Sequence, residues 1–241
     1  MSSALRIVEV AELDFAYQPR PWPFAIERAA DIAQHWRERT AERPEMFDGR
    51  VLLLGSREFA WRGDGAKVLR GAYFEVDYSA FLAWRDFGFP DAQVGNCFSM
   101  AALRSSDGAF LLGEMGAHTA NAGLIYFAAG TPDAHDIFDG RVDLMANIQR
   151  ELREETGVTP DEVALGAGWT VVDTGHRIAC LKTARLAMTA SAAKARIEAF
   201  LARETQPELA RMHIVRTSAD IDGARVPPFI VGYLRRELAA A

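Results

Sequence analysis

The stretch Arg150-Glu151-Leu152-Arg153-Glu154-Glu155-Thr156-Gly157-Val158 carries the most specific pattern in this chain. Residues three and four apart share one face of a helix, so Glu151, Glu154 and Glu155 project within an arc of about 100°. Three carboxylates so close repel one another, and a divalent cation relieves that repulsion while they stay ionised. All-oxygen ligands favour magnesium or manganese over zinc. The stretch predicts a metal site; the alternative is an ordinary solvated helix face with an Arg150–Glu154 pair.

The residues around this stretch predict where its helix begins and ends. An apolar stripe begins before the glutamates and consists of Leu144, Met145, Ile148 and Leu152. Asp143 stands just before the stripe, where an aspartate commonly caps a helix, and Gly157 follows the glutamates, where a glycine commonly ends one. Asp143 is also the nearest acid upstream of the glutamates. It is therefore a candidate for a helix cap and for a substrate-binding or catalytic role.

The stretch resembles the second half of the Nudix box, Arg-Glu-U-x-Glu-Glu-x-Gly-U, where U is a bulky aliphatic residue. The first half of that signature places a glycine and a glutamate where this chain has Asp136 and Val142. Gly130 resembles the glycine that family members place just after a strand, and we expect it to contact the substrate. The resemblance therefore implies a Nudix hydrolase with a rebuilt loop before the glutamate helix.

The rest of the chain predicts elements in the order that this family shows. Helices are predicted over residues 22–42, 78–87, 191–204 and 228–238, besides the glutamate helix. Strands are predicted over residues 51–54, 58–62, 67–75, 97–104, 109–112, 124–128, 163–173, 177–188 and 213–217. The resemblance implies an α/β (α+β) fold. A Nudix α/β/α sandwich with a mixed β-sheet would span residues 95–241, and residues 1–94 would form an N-terminal α+β extension lobe.

The resemblance also implies an activity and roles for individual residues. The expected enzyme is a Mg²⁺-dependent pyrophosphohydrolase, with Mn²⁺ as the other suitable ion, acting on a nucleoside diphosphate linked to another group. The implied metal ligands are Glu151, Glu154 and Glu155. Arg150 would brace this cluster through charge-assisted hydrogen bonds, and it counts with Glu151 and Glu208 among the catalytic residues. Family members take the general base from the box or from another loop, and Glu208 is our candidate, with Glu204 as its neighbour.

Weaker motifs in residues 1–94 resemble the Nudix branch that hydrolyses UDP-glucose and UDP-galactose. These motifs are Pro19-Arg20-Pro21, the stretch from Pro44 to Gly49, and Tyr78 with Phe81-Leu82. The first expected substrate is therefore a UDP-sugar, cut to UMP and sugar 1-phosphate. Trp22, Trp61 and Tyr78 would either stack the uracil or lie in the core. An ADP-ribose or NADH pyrophosphatase is one alternative, and a nucleotide-binding sensor that has lost turnover is the other.

Composition narrows the classes of partner. The net charge is -6 and no block of Lys and Arg occurs, which argues against a nucleic-acid partner. No run of 18 apolar residues and no leader-like segment is present, so we expect no membrane partner and a cytoplasmic protein. Cys97 and Cys180 lack CxxC spacing and are expected to be buried free thiols. A nucleotide-type small molecule is the expected substrate, and the oligomeric state stays open, a homodimer included.

Overall fold

A computed structural model describes residues 5–240, which form a mixed α/β fold. The α-helices of this range are α1 (Pro23–Glu27), α2 (Ala29–Glu42), α3 (Tyr78–Asp86), α4 (Leu144–Thr156), α5 (Ala190–Leu201) and α6 (Pro228–Ala239). Its strands are β1 (Arg6–Val10), β2 (Glu12–Tyr17), β3 (Arg50–Trp61), β4 (Lys67–Asp77), β5 (Asn96–Arg104), β6 (Phe110–Met115), β7 (Ile125–Tyr126), β8 (Ala129–Gly130), β9 (Ile137–Phe138), β10 (Arg141–Val142), β11 (Val163–Leu165), β12 (Trp169–Asp173), β13 (Arg177–Leu186) and β14 (Leu209–Val215).

The larger sheet is mixed and carries helices on both faces. Its strand order is β1-β12-β13-β5-β6-β14, in which β5 and β13 run parallel and the other neighbours antiparallel. Side chains alternate along β5: Cys97 and Ala101 pack in the core with α4 and α5, while Phe98 and Met100 pack in the core with α6. Both faces of the sheet are therefore buried, which confirms the predicted α/β/α sandwich.

The smaller sheet has the order β3-β4-β2-β10-β9, and the first three helices pack beside it. Trp22, Phe74 and Trp84 lie at the centre of that packing. The structure differs from two of the predicted elements in this part of the chain. The segment 51–62 is one strand with a register shift near Gly55 rather than two strands, because β4 pairs along its whole length. The first helix is interrupted at Arg28, which separates α1 from α2.

Strands β1 and β2 were not among the predicted elements, and these consecutive strands belong to different sheets. Strand β1 pairs with β12 at the edge of the larger sheet, whereas β10, from the later part of the chain, pairs with β2 in the smaller one. Segments thus cross the predicted boundary between residues 94 and 95 in both directions, and the division into two domains stays a prediction. No helix in the described part of the chain is long and apolar enough to cross a membrane.

Candidate active site

Helix α4 positions the three glutamates, and local chemistry defines both of its ends. The Asp143 carboxylate accepts hydrogen bonds from the backbone N–H groups of Met145 (2.8 Å) and Ala146 (3.1 Å), so it caps the helix. Gly157 ends the helix with a φ of 68°, a left-handed conformation that suits glycine. The apolar face of α4 packs onto the larger sheet through residues such as Leu152. With its carboxylate engaged in capping, Asp143 lies at the opposite end of the helix from the glutamates.

Glu155 is the unexpected member of the glutamate cluster, because it is only 4% exposed. Its Oε1 atom accepts a long hydrogen bond of 3.4 Å from the backbone N–H of Ala129 in β8, and its Oε2 atom is buried with no partner. Burial, together with the carboxylates of Glu151 and Glu208, raises the pKa of Glu155 well above its ordinary value. A buried carboxylate oxygen without a donor calls for a cation or a proton.

Glu151 lies between an arginine and a glycine. Burial raises its pKa to about 7, against the opposing charge of Arg150 and with the support of Glu154 and Glu208. Its Oε1 atom lies 2.7 Å from Nη1 of Arg150. On the other side, a Cβ atom at Gly130 would overlap the Glu151 carboxylate, so only glycine allows this approach. The structure thus brings Gly130 against the glutamate cluster.

Arg150 pairs with Asp136, the residue that stands where the Nudix signature has glycine. Asp136 is 1% exposed, and its Oδ2 atom lies 3.0 Å from Nη2 of Arg150. The same oxygen accepts hydrogen bonds from Asn147 Nδ2 (2.9 Å) and from the Asp133 backbone (3.1 Å). Asp136 is therefore a missed site residue. No sequence pattern indicated this role, because the burial of Asp136 and its pairing with Arg150 arise from tertiary packing.

Two further positions near the box have different surroundings. Val142, which stands where the signature has glutamate, is 6% exposed and belongs to the hydrophobic core, so it contributes no acid. Of the two candidate bases, Glu208 lies near enough to raise the pKa of both Glu151 and Glu155. Glu204 is not among the charges with the largest effect on either group. Glu208 is therefore the candidate base whose charge acts on the glutamate cluster, and its role stays a prediction.

The donor set fits a hard divalent cation. Across residues 5–240 no three His, Cys, Asp or Glu side chains converge as a preformed metal cage. The unpartnered Oε2 atom of Glu155 and the repulsion among the clustered carboxylates are both relieved by an added positive charge. The Glu154 side chain is 53% exposed and makes only long ion pairs with Arg150 (3.7 Å) and Arg153 (3.8 Å). Carboxylate oxygens are the ligands that Mg²⁺ and Mn²⁺ prefer. The residues therefore fit, and the identity of the ion stays a prediction.

A cavity of about 510 Å³ has Gly130, the residue that lies against the Glu151 carboxylate, in its wall. Its walls come from α3, from β5 and β13, and from the loop that leads into α6. Of the three aromatic residues considered for stacking a base, only Tyr78 lines it. Trp22 is 3% exposed within the core around α3, and Trp61 is 67% exposed at the end of β3, so both are excluded from the cavity.

Solved structures provide a comparison with known folds. No protein-family model matches the chain, and curated proteins give no match. A Nudix hydrolase from M. smegmatis is 17% identical to this chain, and the alignment covers 61% of this chain and 85% of that protein, with a TM-score of 0.37. A Nudix hydrolase from Nitrosomonas europaea is 16% identical over 61% of this chain and 89% of its own, with a TM-score of 0.40. A MutT protein from Methanosarcina mazei Go1 is 16% identical over 60% of this chain and 93% of its own, with a TM-score of 0.39.

Two of these three are Nudix hydrolases, the family that the glutamate motif resembles.

Proposed function

We propose that this protein is a divalent-cation-dependent pyrophosphohydrolase of the Nudix family. The observation that carries the proposal is the buried, unpartnered Oε2 atom of Glu155 within a cluster of carboxylates, one of which lies against Gly130 in the wall of the cavity. A fold that keeps an ionisable oxygen in this position loses stability unless a cation or a proton binds there. A ligand site is the simplest reason for a protein to retain such a cluster.

Each residue of the cluster then has a role. Glu151, Glu154 and Glu155 would hold the ion, which would supply positive charge for a phosphoanhydride and lower the pKa of water. Arg150, anchored by Asp136, keeps the Glu151 carboxylate in place. Glu208 accepts a proton from the attacking water. That water adds to one phosphorus while the bridging P–O bond breaks, so a nucleoside monophosphate and a phosphorylated second product leave.

A UDP-sugar is the first substrate of this proposal, cleaved to UMP and sugar 1-phosphate. Helix α3, which belongs to residues 1–94, lines the cavity with Tyr78, Phe81 and Arg85. This position supports the role of the extension lobe as a wall of the substrate site, with residues 95–241 supplying the glutamate helix. Aromatic rings at the wall are suited to a base or to a sugar face.

A substrate panel with product identification tests the proposal. The panel contains UDP-glucose, UDP-galactose, ADP-ribose, NADH, a dinucleoside polyphosphate and a nucleoside triphosphate, each with Mg²⁺ or Mn²⁺. We expect UDP-sugars to give the highest kcat/KM, and Glu155→Gln to remove turnover while the matched control Glu204→Gln retains it. Preference for ADP-ribose or NADH would reject the UDP-sugar substrate alone. Saturable binding without turnover of any compound would instead support a sensor.

A further inference from the structure

The cavity beside the glutamate helix has a strongly one-sided charge. Three arginines line it, Arg85, Arg177 and Arg225, and none of its described lining residues is an aspartate or a glutamate. The whole chain has a net charge of -6, so this concentration of positive charge runs against the overall balance. A cavity of this kind attracts anions.

The three arginines differ in how well their charge is compensated. Arg225 is paired with Asp222 (2.7 Å) and with Glu114 (2.9 Å). Arg85 donates a hydrogen bond from its Nε atom to Asp86 (3.0 Å). Among the described residues, no carboxylate pairs with its two terminal amino groups. Arg177 has no carboxylate partner among the described residues.

Burial and a neighbouring positive charge make an unpaired Arg177 guanidinium unfavourable. Its guanidinium lies over the Phe229 ring at 5.5 Å. Burial, together with the charge of Arg85, lowers its pKa from the ordinary value. A guanidinium stays protonated under all ordinary conditions, so a half-buried Arg177 beside a second arginine favours a negatively charged partner.

Asn96 supplies a second and independent sign of a ligand. It stands next to Arg177 across the parallel pair of β5 and β13, and it lines the same cavity. Its Oδ1 atom is buried and accepts no hydrogen bond. Because buried acceptors are nearly always satisfied, this oxygen calls for a hydroxyl or N–H donor from a bound molecule.

We propose that Arg177 and Arg85 bind the second phosphate of a diphosphate-linked substrate, and that Asn96 accepts a hydrogen bond from the group attached to that phosphate. This inference rests on the proposed function, which places the first phosphate at the glutamate cluster beside Gly130. Two guanidinium groups suit a phosphate because each offers a planar pair of donors. A sugar hydroxyl provides the donor that Asn96 lacks.

Binding measurements without metal test this subsite apart from turnover. Titration calorimetry in EDTA uses UDP-glucose, UDP and UMP as probes, which separates the second phosphate from the attached sugar. For Arg177→Met we expect the Kd for UDP-glucose and for UDP to rise about 10- to 100-fold, the range for lost charged hydrogen bonds. The Kd for UMP should change little. Methionine keeps an apolar stem over Phe229, and the exposed Arg62→Met serves as the charge control.

The Asn96→Leu variant tests the hydrogen bond between Asn96 and the group attached to the second phosphate. Removing an unsatisfied acceptor leaves the fold at least as stable, so thermal unfolding provides the control for this variant. We expect weaker binding of UDP-glucose and unchanged binding of UDP. Equal affinity of Arg177→Met and the unmodified protein for UDP would overturn the phosphate assignment, and equal loss of both ligands in Asn96→Leu would overturn the sugar assignment.

These results separate the subsite from the activity. Turnover of UDP-glucose with normal KM in Arg177→Met would reject the subsite and keep the hydrolase. Metal-free binding that depends on Arg177, in a protein that hydrolyses nothing, would keep the subsite and reject the hydrolase. If Arg177→Met does not fold, Arg85→Met gives the same comparison, because the proposal places both guanidinium groups on the same phosphate.

Discussion

Replacing Glu155 by glutamine should stabilise the metal-free protein while removing its activity. The carboxylate is buried, with one oxygen unpartnered and other carboxylates nearby. Glutamine keeps the shape and still accepts the Ala129 hydrogen bond, but it carries no charge. An unsatisfied buried acceptor costs about 1–3 kcal/mol, and more when charged. We therefore expect the free energy of unfolding at pH 8 to rise by about 2 kcal/mol, which corresponds to a rise in Tm of about 4–8 °C.

The pH dependence of this gain follows from the direction of the pKa shifts. A carboxyl group whose pKa is raised in the folded protein contributes stability below its unfolded pKa and loses it as the pH rises through the folded pKa. For Glu151 this window runs from 4.5 to about 7, and its loss amounts to about 3 kcal/mol. Glu155 shifts in the same direction. The metal-free protein should thus be less stable at pH 8 than at pH 5, and Glu155→Gln should weaken this dependence.

Differential scanning calorimetry at pH 5 and pH 8, with EDTA or with excess Mg²⁺, measures these effects. Mg²⁺ should raise the Tm of the unmodified protein at pH 8 and have little effect on Glu155→Gln, because ligand binding stabilises only a state that has the site. Glu204→Gln, an exposed change of the same chemistry, provides the control. A lower Tm of Glu155→Gln in EDTA at pH 8, or an equal response of both proteins to Mg²⁺, would refute the reasoning.

Three further changes test neighbouring parts of the site. Glu208→Gln should lower kcat by about 10²- to 10⁴-fold with little change in KM if this residue takes the proton from water, and a larger loss in Glu204→Gln under steady-state assay would reject that choice. Gly130→Ala should displace the Glu151 carboxylate and raise the Mg²⁺ concentration needed for half-maximal rate, whereas an unchanged metal titration would contradict the close contact. Asp136→Asn should destabilise the protein by about 1–3 kcal/mol in urea unfolding, since the buried partner of the helix arginine loses its charge, and unaltered stability would argue against this ion pair.

Local patterns predicted most of the secondary structure and the composition of the glutamate cluster. The helix period alone brings Glu151, Glu154 and Glu155 to one face, and short-range capping rules identify the ends of α4 at Asp143 and Gly157. Strands β1 and β2 were not predicted from the sequence, and their pairing with β12 and β4 joins segments that lie far apart in the chain.

The residues that could carry the chemistry follow from the sequence, because i, i+3 and i+4 spacing depends only on the backbone of one helix. The burial of Glu155 without a full set of partners, and the pairing of Asp136 with Arg150, arise from tertiary packing. It also placed Arg177 of β13 in the same cavity as α3. Burial and the ionic partners of a side chain depend on segments far apart in sequence, and these segments meet only when the sheets and helices pack together.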